Sequence, residues 1–230
     1  MISDKTLIIV RHGNTFRAGE ESCRVGARTD LPLVEELRSV MAARIIKSRC
    51  LLPTRVFAAP LLRTMRTAEL IVREIGLSCP IRAVSDFTEV DYGEDEGQTE
   101  EAVMRRLGVF YLGDNAEPEL IMQRGKEEIE RWNIDGTVPV GWNVDVDKII
   151  ASWRKFASEI GVGETVLVVS SNGIIRFAPY ILEPDNFELF HKTHNLKVTT
   201  AGISIFVQKN NTWNITDWNI KPTEENLHIF

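Results

Sequence analysis

Three short apolar runs, each followed by a polar turn, recur along the amino-acid sequence. Residues 7–10, 56–59 and 165–169 form nearly unbroken apolar segments without polar alternation. Such runs are typical of strands that are covered on both faces of a parallel sheet. Because ligands bind beyond the carboxyl ends of parallel strands, the turns after these runs are where we expect a functional site.

Amphipathic helices are predicted between these strands. Apolar residues recur at helical spacing over 33–45, 60–75 and 146–160. In the first of these segments the apolar face includes Leu33 and Leu37. The alternation of strands and helices predicts an α/β fold.

The remaining segments complete the predicted architecture. Residues 174–181 predict a helix, and 202–207 with 213–219 predict a hairpin at the edge of the sheet. An irregular segment at about 98–143, with several short helical pieces, is expected to cover the site. We therefore expect a three-layer α/β/α fold with a mainly parallel sheet and an antiparallel edge. Residues 1–230 would form one domain, with 98–143 as an inserted capping region.

Charge and cysteine content narrow the possible partners and location. The 230-residue chain has a formal charge of −6, so nucleic acid and anionic membranes are not expected as partners. Its three cysteines have no metal-binding spacing, which indicates free thiols in a reducing compartment and no metal site. No secretory signal or long apolar run is visible. We expect a cytoplasmic protein that needs no cofactor; its oligomeric state stays open.

Cations and an imidazole stand at the ends of the predicted strands. Arg11 and His12 follow the first apolar run, and Arg63 lies in the first turn of the next predicted helix. Arginine has a donor fork that suits phosphate or carboxylate, and histidine can act as a base, a ligand or a nucleophile. An arginine at a helix N-terminus opposes the helix dipole, which indicates another use, such as binding an anion. A solvated turn is the competing interpretation for each of these residues.

Glu89 is the candidate acid or base in an acidic segment at 86–97. Most carboxylates of this segment are expected to face water. Glu89 is flanked by Phe87 and Val90, which favours partial burial and a role in proton transfer.

Several of these segments resemble motifs of the histidine phosphatase superfamily, the phosphoglycerate mutase-like proteins. Residues 11–15 read Arg-His-Gly-Asn-Thr, and 59–69 read Ala-Pro-Leu-Leu-Arg-Thr-Met-Arg-Thr-Ala-Glu. Residues 89–93 read Glu-Val-Asp-Tyr-Gly. The resemblance extends from Leu7 to about Trp218, and it is weakest over 98–143.

The resemblance implies a phosphoglycerate mutase-like fold and a covalent mechanism. His12 would attack a phosphoryl group to give a phosphohistidine, which water then hydrolyses. Arg11 and Arg63 would bind the phosphoryl oxygens, and Glu89 would protonate the leaving oxygen and then activate water. Two neutral donors are expected beside them, Asn14 and Thr15. Phosphoryl transfer depends mostly on such positioning and charge neutralisation.

One position departs from the family pattern. The family has histidine in a segment that reads Val-Val-Ser-His-Gly-Gly-Val-Ile-Arg, and here 168–176 read Val-Val-Ser-Ser-Asn-Gly-Ile-Ile-Arg. Ser171 therefore stands at the position of the second histidine, and we expect Ser171 and Asn172 to contact the phosphoryl group. The missing charge-assisted hydrogen bond corresponds to about 1.5–3 kcal/mol, on the order of 10- to 100-fold in rate.

Three functions stay open after this comparison. The favoured one is a phosphatase that acts on a small phosphorylated metabolite inside the cell. A mutase is disfavoured, because Thr15-Phe16-Arg17 stands where true phosphoglycerate mutases have Ser-x-Trp-Asn. A catalytically impaired protein that only binds a phosphorylated ligand is the third. His191 or His194 would compensate for Ser171 if either reached the site, whereas the competing interpretation places both on the surface of a short helix.

Overall fold

Six strands form one sheet in the computed structural model, which describes residues 4–227. They are β1 (Lys5–Arg11), β2 (Arg55–Ala58), β3 (Ile81–Ala83), β4 (Thr165–Ser170), β5 (Ile203–Lys209) and β6 (Thr212–Ile220). Their order in the sheet is β3-β2-β4-β1-β5-β6. The pairings among β1 to β4 are parallel, and β5 and β6 are antiparallel to their neighbours. The predicted mainly parallel sheet with an antiparallel edge is confirmed.

Helices cover both faces of the sheet. They are α1 (Leu37–Ser48), α2 (Leu62–Ile75), α3 (Glu100–Leu112), α4 (Pro118–Asp135), α5 (Val146–Ser158), α6 (Asn172–Ile175) and α7 (Pro184–Thr193). Alternate residues of β1 point to opposite faces, as the pleat requires. Leu7 and Ile9 pack in a cluster with Trp153 of α5, while Ile8 and Val10 pack with α1 and α2. The fold is therefore the expected three-layer α/β/α arrangement.

The prediction for the first helix was wrong at its beginning. The helix begins at Leu37, and 65% of the Leu37 residue surface is exposed. Two contacts hold the preceding segment outside the helix: Val34 N donates to the Asn14 carbonyl at 3.0 Å, and Glu35 accepts from Arg38 N at 2.9 Å. Leu33 lies beside Gly13. It therefore packs against the turn after β1 and not along the helix.

The expectation of several short helical pieces over 98–143 was also wrong. This segment forms two long helices, α3 and α4, that pack as an antiparallel pair. Gly108 faces the backbone of Ile121, and Gly125 faces the backbone of Met104. The two glycines, which look like interruptions in the sequence, allow the helices to approach closely.

The helix predicted over 174–181 is broken. It consists of α6 and a separate 3₁₀ helix, Ala178–Ile181. Pro179 has no backbone N–H and disfavours helical geometry in the preceding residue, so a continuous helix cannot pass through this point. The hairpin of β5 and β6 forms as predicted. No helix among residues 4–227 is both long and apolar enough to cross a membrane.

Candidate active site

A polar cavity of about 400 Å³ opens at the carboxyl ends of β1 and β4. Six residues predicted from the sequence lie on its wall: Arg11, His12, Asn14, Thr15, Glu89 and Asn172. Arg11 is the last residue of β1 and pairs with Ser170, the last residue of β4. The parallel pairing therefore brings the two strand-end turns together, as expected.

His12 is buried, and its hydrogen bond fixes the tautomer of its ring. The Nδ1 atom lies 2.7 Å from the carbonyl oxygen of Gly13. Because a carbonyl oxygen can only accept, Nδ1 carries the proton. The Nε2 atom of the neutral ring then keeps a free lone pair. The backbone of His12 is held on both sides, by Ser170 O and by Ala201 N.

Burial lowers the pKa of His12 well below its ordinary value, and the charges of Arg11 and Arg63 lower it further. The ring is therefore neutral at physiological pH, since protonation would add a cation beside two arginines. A neutral imidazole with a free Nε2 can act as a nucleophile.

Arg11 is held by the loop that precedes β5. Its guanidinium donates to the Val198 carbonyl oxygen at 2.6 Å. Burial lowers its pKa, whereas the negative charge of Glu89 raises it. Its Nε atom is buried and has no hydrogen-bond partner among residues 4–227. Arg11 thus has donor capacity left beside His12.

Glu89 is 6% exposed and lies on the cavity wall. One carboxyl oxygen accepts a hydrogen bond from Val90 N at 3.0 Å. Burial raises the pKa of Glu89, and this effect exceeds the opposing effects of the Val90 hydrogen bond and the nearby arginines. The group is thus suited to carry a proton and to release it.

The amide orientation of Asn172 follows from its backbone partner. Its Oδ1 atom accepts from Val198 N at 2.8 Å, and the carbonyl of the same residue, Val198, accepts from Arg11. Because the backbone N–H needs an acceptor, the Nδ2 group is the free end of the amide. Asn172 therefore positions the loop that holds Arg11 and leaves two N–H donors for the cavity.

Arg63 lies behind the cavity and not on its wall. It is fully buried, and its guanidinium donates to the carbonyl oxygens of Thr29 at 2.8 Å and Gly26 at 3.2 Å. Its charge nevertheless lowers the pKa of His12. Its carbonyl contacts order the loop after β1, and its Nε atom is buried without a hydrogen-bond partner among residues 4–227. Direct contact of Arg63 with a phosphoryl group therefore stays a prediction.

Ser171 is also absent from the cavity wall. It is fully buried, and its Oγ atom has no hydrogen-bond partner in the part of the chain that is described. The two predicted neutral donors differ from it. Asn14 and Thr15 lie on the wall, and Asn14 donates to Glu35 at 3.4 Å.

The sequence analysis did not assign a site role to several other residues of the wall, among them Arg24, Tyr92, Arg176 and Lys197. Arg176 is fully buried, lies 3.9 Å from the ring centroid of Trp132 and donates to the Trp132 carbonyl oxygen. Burial lowers its pKa to about 10. The sequence did offer a signal for Arg176, because it follows the polar turn at the end of β4. A buried arginine at such a place needs a charge partner or a ligand. Arg24 and Lys197, in polar loops, gave no such signal.

The two histidines considered as substitutes do not reach the cavity. The His191 Nε2 atom lies 2.7 Å from the Ile134 carbonyl oxygen, and the ring stacks on Phe187. His194 stacks on Phe190. Both rings make structural contacts, and neither histidine lies on the cavity wall. Among residues 4–227, no group of three or more potential ligands could hold a metal ion.

Comparisons with known proteins agree with the architecture and the motifs. Residues 7–221 match the family model described as histidine phosphatase superfamily, branch 1. A mycobacterial glucosyl-3-phosphoglycerate phosphatase has a similar structure, with 21% identity, a TM-score of 0.66, and coverage of 95% of this chain and 100% of that one. A phosphoglycerate mutase from Bacillus anthracis has 19% identity and a TM-score of 0.67, with 98% and 96% coverage. The search of curated protein sequences gave no match.

Proposed function

The chain belongs to the histidine phosphatase superfamily, branch 1, and we propose that it is a phosphatase that hydrolyses a small phosphate monoester through a phosphohistidine at His12. The observation that carries this proposal is the His12 ring. Its proton lies on Nδ1, its Nε2 lone pair is free, and it lies on a cavity wall with three arginines and Glu89. The site therefore combines a nucleophile, His12, with arginines that can bind an anion and with Glu89 as a proton donor.

The first half of the reaction transfers the phosphoryl group to the enzyme. The Nε2 atom of His12 attacks phosphorus and forms an N–P bond while the bond from phosphorus to the ester oxygen breaks. Glu89 enters in its protonated form, as its raised pKa favours, and gives its proton to the leaving oxygen. The positive charge that develops on the ring is stabilised by the Nδ1–H bond to the Gly13 carbonyl.

The second half regenerates the enzyme. Glu89, now ionised, accepts a proton from a water molecule whose oxygen attacks phosphorus. The N–P bond breaks, phosphate leaves, and His12 is again neutral with its proton on Nδ1. Glu89 is protonated again, so one catalytic cycle consumes only water and ester.

Two cations and a neutral donor pair hold the phosphoryl group in this proposal. Arg11 and Arg176 lie on the wall, and the free amide end of Asn172 supplies uncharged donors. Arg63 adds positive potential from behind the wall. The site thus retains charge stabilisation without a histidine at position 171, although the charge-assisted bond of that histidine is absent.

Trapping the intermediate tests the proposal. We expect wild-type protein that is denatured rapidly during turnover of phenyl phosphate to carry an acid-labile phosphoryl group on His12, detected by mass spectrometry. His12→Ala should remove both the label and turnover, since no other nucleophile lies at this position. His194→Ala, which changes a histidine outside the cavity, is the matched control. Turnover that persists in folded His12→Ala would refute the mechanism.

A protein that binds phosphorylated ligands without turning them over is the second candidate. The specific observation in its favour is the buried, unpartnered Oγ of Ser171, which supplies no charge. If turnover is limited by this position, Ser171→His should raise it, and the gain should grow as pH falls and more of the imidazole is protonated. Overpacking would cost about 1–3 kcal/mol of stability, so the free energy of unfolding is measured alongside the rate. Phosphate binding without turnover in both proteins would favour the second candidate.

The proposed substrate is a small phosphorylated metabolite of the cytoplasm. The volume of about 400 Å³ suits a ligand of modest size. The proposed cycle needs no cofactor, because the side chains of His12 and Glu89 perform each bond change. Mutase activity is a less favoured variant of the same chemistry, in which an alcohol replaces water as the phosphoryl acceptor.

A further inference from the structure

We propose that Thr67 is a positioning residue for the nucleophile: its buried hydroxyl fixes the Gly13 backbone, and the Gly13 carbonyl then holds the His12 ring with Nε2 unprotonated. This inference rests on the proposed function where it concerns rate, because it takes His12 as the nucleophile. The tautomer of the ring can be measured without turnover. Thr67 lies in α2, 54 residues from Gly13 along the chain.

The Thr67 hydroxyl makes two hydrogen bonds whose directions are fixed. Its Oγ1 atom lies 2.8 Å from the Arg63 carbonyl oxygen and 3.0 Å from the Gly13 nitrogen. Because a carbonyl can only accept, the single hydroxyl proton goes to Arg63, and an oxygen lone pair accepts from Gly13 N–H. Threonines commonly bond to a carbonyl of their own helix. The second bond, to a distant segment, joins the turn after β1 to α2.

Helix α2 gives this hydroxyl a rigid support. Thr67 is fully buried, and the next residue, Ala68, packs in one cluster with Ile8 and Val10 of β1. The helix therefore lies directly on the strand that leads into the site. A β-branched side chain in a helix has few χ1 rotamers, and close packing restricts it further. The Thr67 oxygen is thus held at a fixed place relative to β1.

Gly13 needs an external contact to fix its conformation. A Cβ atom at this position would lie 2.8 Å from Ser39 Oγ and 3.4 Å from a Leu33 methyl group. Close packing therefore favours glycine, whose backbone is the freest to rotate. The direction of the Gly13 carbonyl must then be set by the peptide groups on either side of it.

Hydrogen bonds hold both of these neighbouring peptide groups. On one side, Gly13 N–H donates to Thr67. On the other side, the Asn14 carbonyl accepts from Val34 N at 3.0 Å. Between them, the Gly13 carbonyl oxygen lies 2.7 Å from His12 Nδ1. Of the two holding bonds, the one to Thr67 uses a side chain, so a single substitution can remove it.

The proton position on the His12 ring decides whether Nε2 can attack. With the proton on Nδ1 the Nε2 lone pair is available, and with the proton on Nε2 it is not. When a phosphoryl group joins Nε2, the ring becomes cationic and its Nδ1–H bond to Gly13 strengthens. The placement of this carbonyl therefore matters more in the transition state than in the ground state. Within residues 4–227, Thr67 does not line the cavity, so we expect its hydroxyl to affect kcat and not ligand affinity.

NMR of protein with isotopically labelled histidine nitrogens measures the tautomer, because protonated and unprotonated ring nitrogens resonate far apart. The spectrum of His12→Ala assigns the His12 signals. In wild type we expect the proton on Nδ1. In Thr67→Val, which keeps the side-chain shape and loses the hydroxyl, part of the ring should carry it on Nε2.

The kinetics of the same variants should follow the tautomer. In Thr67→Val, kcat for phenyl phosphate should fall about tenfold, while the Kd for inorganic phosphate stays within about twofold of wild type. Thr67→Ser keeps the hydroxyl and should retain the wild-type tautomer and kcat. Thr67→Cys replaces that oxygen with a weakly accepting sulfur and should shift the tautomer. The pair of Ser and Cys variants decides the matter if Thr67→Val does not fold.

Thr64→Val is the matched control. Thr64 is equally buried in α2, and its hydroxyl lies within hydrogen-bond distance of the Ala59 and Leu61 carbonyls, at 2.7 and 2.8 Å. Its loss should lower the free energy of unfolding and leave the His12 tautomer and kcat as in wild type.

Several results would overturn the inference. They are a wild-type ring with its proton on Nε2, an unchanged tautomer and kcat in folded Thr67→Val, identical spectra for Thr67→Ser and Thr67→Cys, and an equal tautomer shift in Thr64→Val. A wild-type protein that hydrolyses no ester, but whose tautomer depends on Thr67 as described, would refute the proposed function and leave the positioning of His12 standing.

Discussion

At the scale of single residues, the proton on Glu89 affects stability and, in the proposed mechanism, activity as well. Burial raises the pKa of Glu89, so the folded protein holds this proton to a higher pH than the unfolded chain does. The folded state is penalised once the unfolded chain releases the proton, and stability falls as pH rises from the ordinary pKa of glutamate to the raised pKa. The same raised pKa provides the protonated acid for the first half of the reaction. The site therefore gains a proton donor at some cost in stability.

Glu89→Gln should uncouple these two effects. We expect at least about a 100-fold loss of kcat/KM, because glutamine has no proton to donate. In wild type, kcat/KM should fall as pH rises through the raised pKa, and the variant should lack this decline. The free energy of unfolding of wild type relative to the variant should also decrease as pH rises from the ordinary pKa of glutamate to the raised pKa of Glu89. Parallel stability profiles in urea titrations would show that Glu89 is not buried as described.

A substitution of Asn172 tests whether this residue contacts the phosphoryl group while the backbone hydrogen bond from Val198 N is kept. In Asn172→Asp, one carboxylate oxygen still accepts from Val198 N, and the other replaces the free amide donors with negative charge. The dissociation constant for inorganic phosphate, measured by calorimetry, should rise on the order of 10- to 100-fold.

Asn195→Asp is the matched control for this substitution. Asn195 Oδ1 also accepts a backbone hydrogen bond, from Lys197 N at 2.7 Å, but Asn195 is not on the cavity wall. We expect phosphate affinity close to that of wild type in the control. Unchanged affinity in Asn172→Asp itself would place the phosphoryl group elsewhere.

At the scale of elements, the pair of α3 and α4 is attached to the site by a buried carboxylate. Asp95, which is 1% exposed, accepts from Arg106 of α3 at 2.5 Å through each of its oxygens, and from Trp142 Nε1 at 2.7 Å. The ring of Trp142 then packs against Tyr92 and under Arg24. These contacts join α3 to the side of the cavity that Tyr92 lines. A capping role for 98–143 stays a prediction.

Gly125→Ala should separate these two helices. A Cβ atom at Gly125 would overlap the backbone carbonyl group of Met104, which cannot move aside as a flexible side chain can. We expect a loss of about 1–3 kcal/mol from overpacking, which exceeds the helix propensity gained from alanine, about 1 kcal/mol. Urea unfolding measures the difference. In Gly161→Ala the atoms nearest to the new Cβ belong to the flexible Glu164 side chain, at 3.0–3.3 Å, so this control should lose less stability than Gly125→Ala.

At the scale of the whole molecule, the net charge of the protein is negative, whereas the side chains that line its cavity are mostly cations. The formal charge is −6, whereas arginines and a lysine dominate the cavity wall. An anion that binds there neutralises cations that are desolvated and close together, and it binds only the folded state. Anion binding should therefore stabilise the entire fold.

Vanadate should raise the melting temperature. At a concentration of about 100 times its Kd, the added stability is about 2.7 kcal/mol, which corresponds to about 5–10 °C for a chain of this size. Differential scanning calorimetry measures the shift. Arg11→Met should show a smaller shift, and Lys126→Met, on the surface of α4, should behave as wild type. An unchanged melting temperature in wild type would contradict an anion site at His12.

The sequence by itself determined the sheet strands and the residues that lie at their ends. Apolar runs at 7–10 and 165–169 are typical of strands buried on both faces of a covered sheet, and the parallel pairing of β1 with β4 brings Arg11, His12 and Asn172 to one edge. These features depend on local periodicity and chain direction, which a sequence displays directly.

The tertiary structure decided how the helices pack and which arginines line the cavity, because the local sequence pattern carries no information on either. Gly108 and Gly125 look like helix breakers, yet they permit two helices to pack because each faces a backbone 13 or 21 residues away. Arg63 turned toward loop carbonyls, whereas Arg24 and Arg176 reached the cavity wall. Which arginine meets the cavity depends on the carbonyl groups and aromatic rings that distant segments bring to it. Such long-range contacts leave no periodic trace in the sequence.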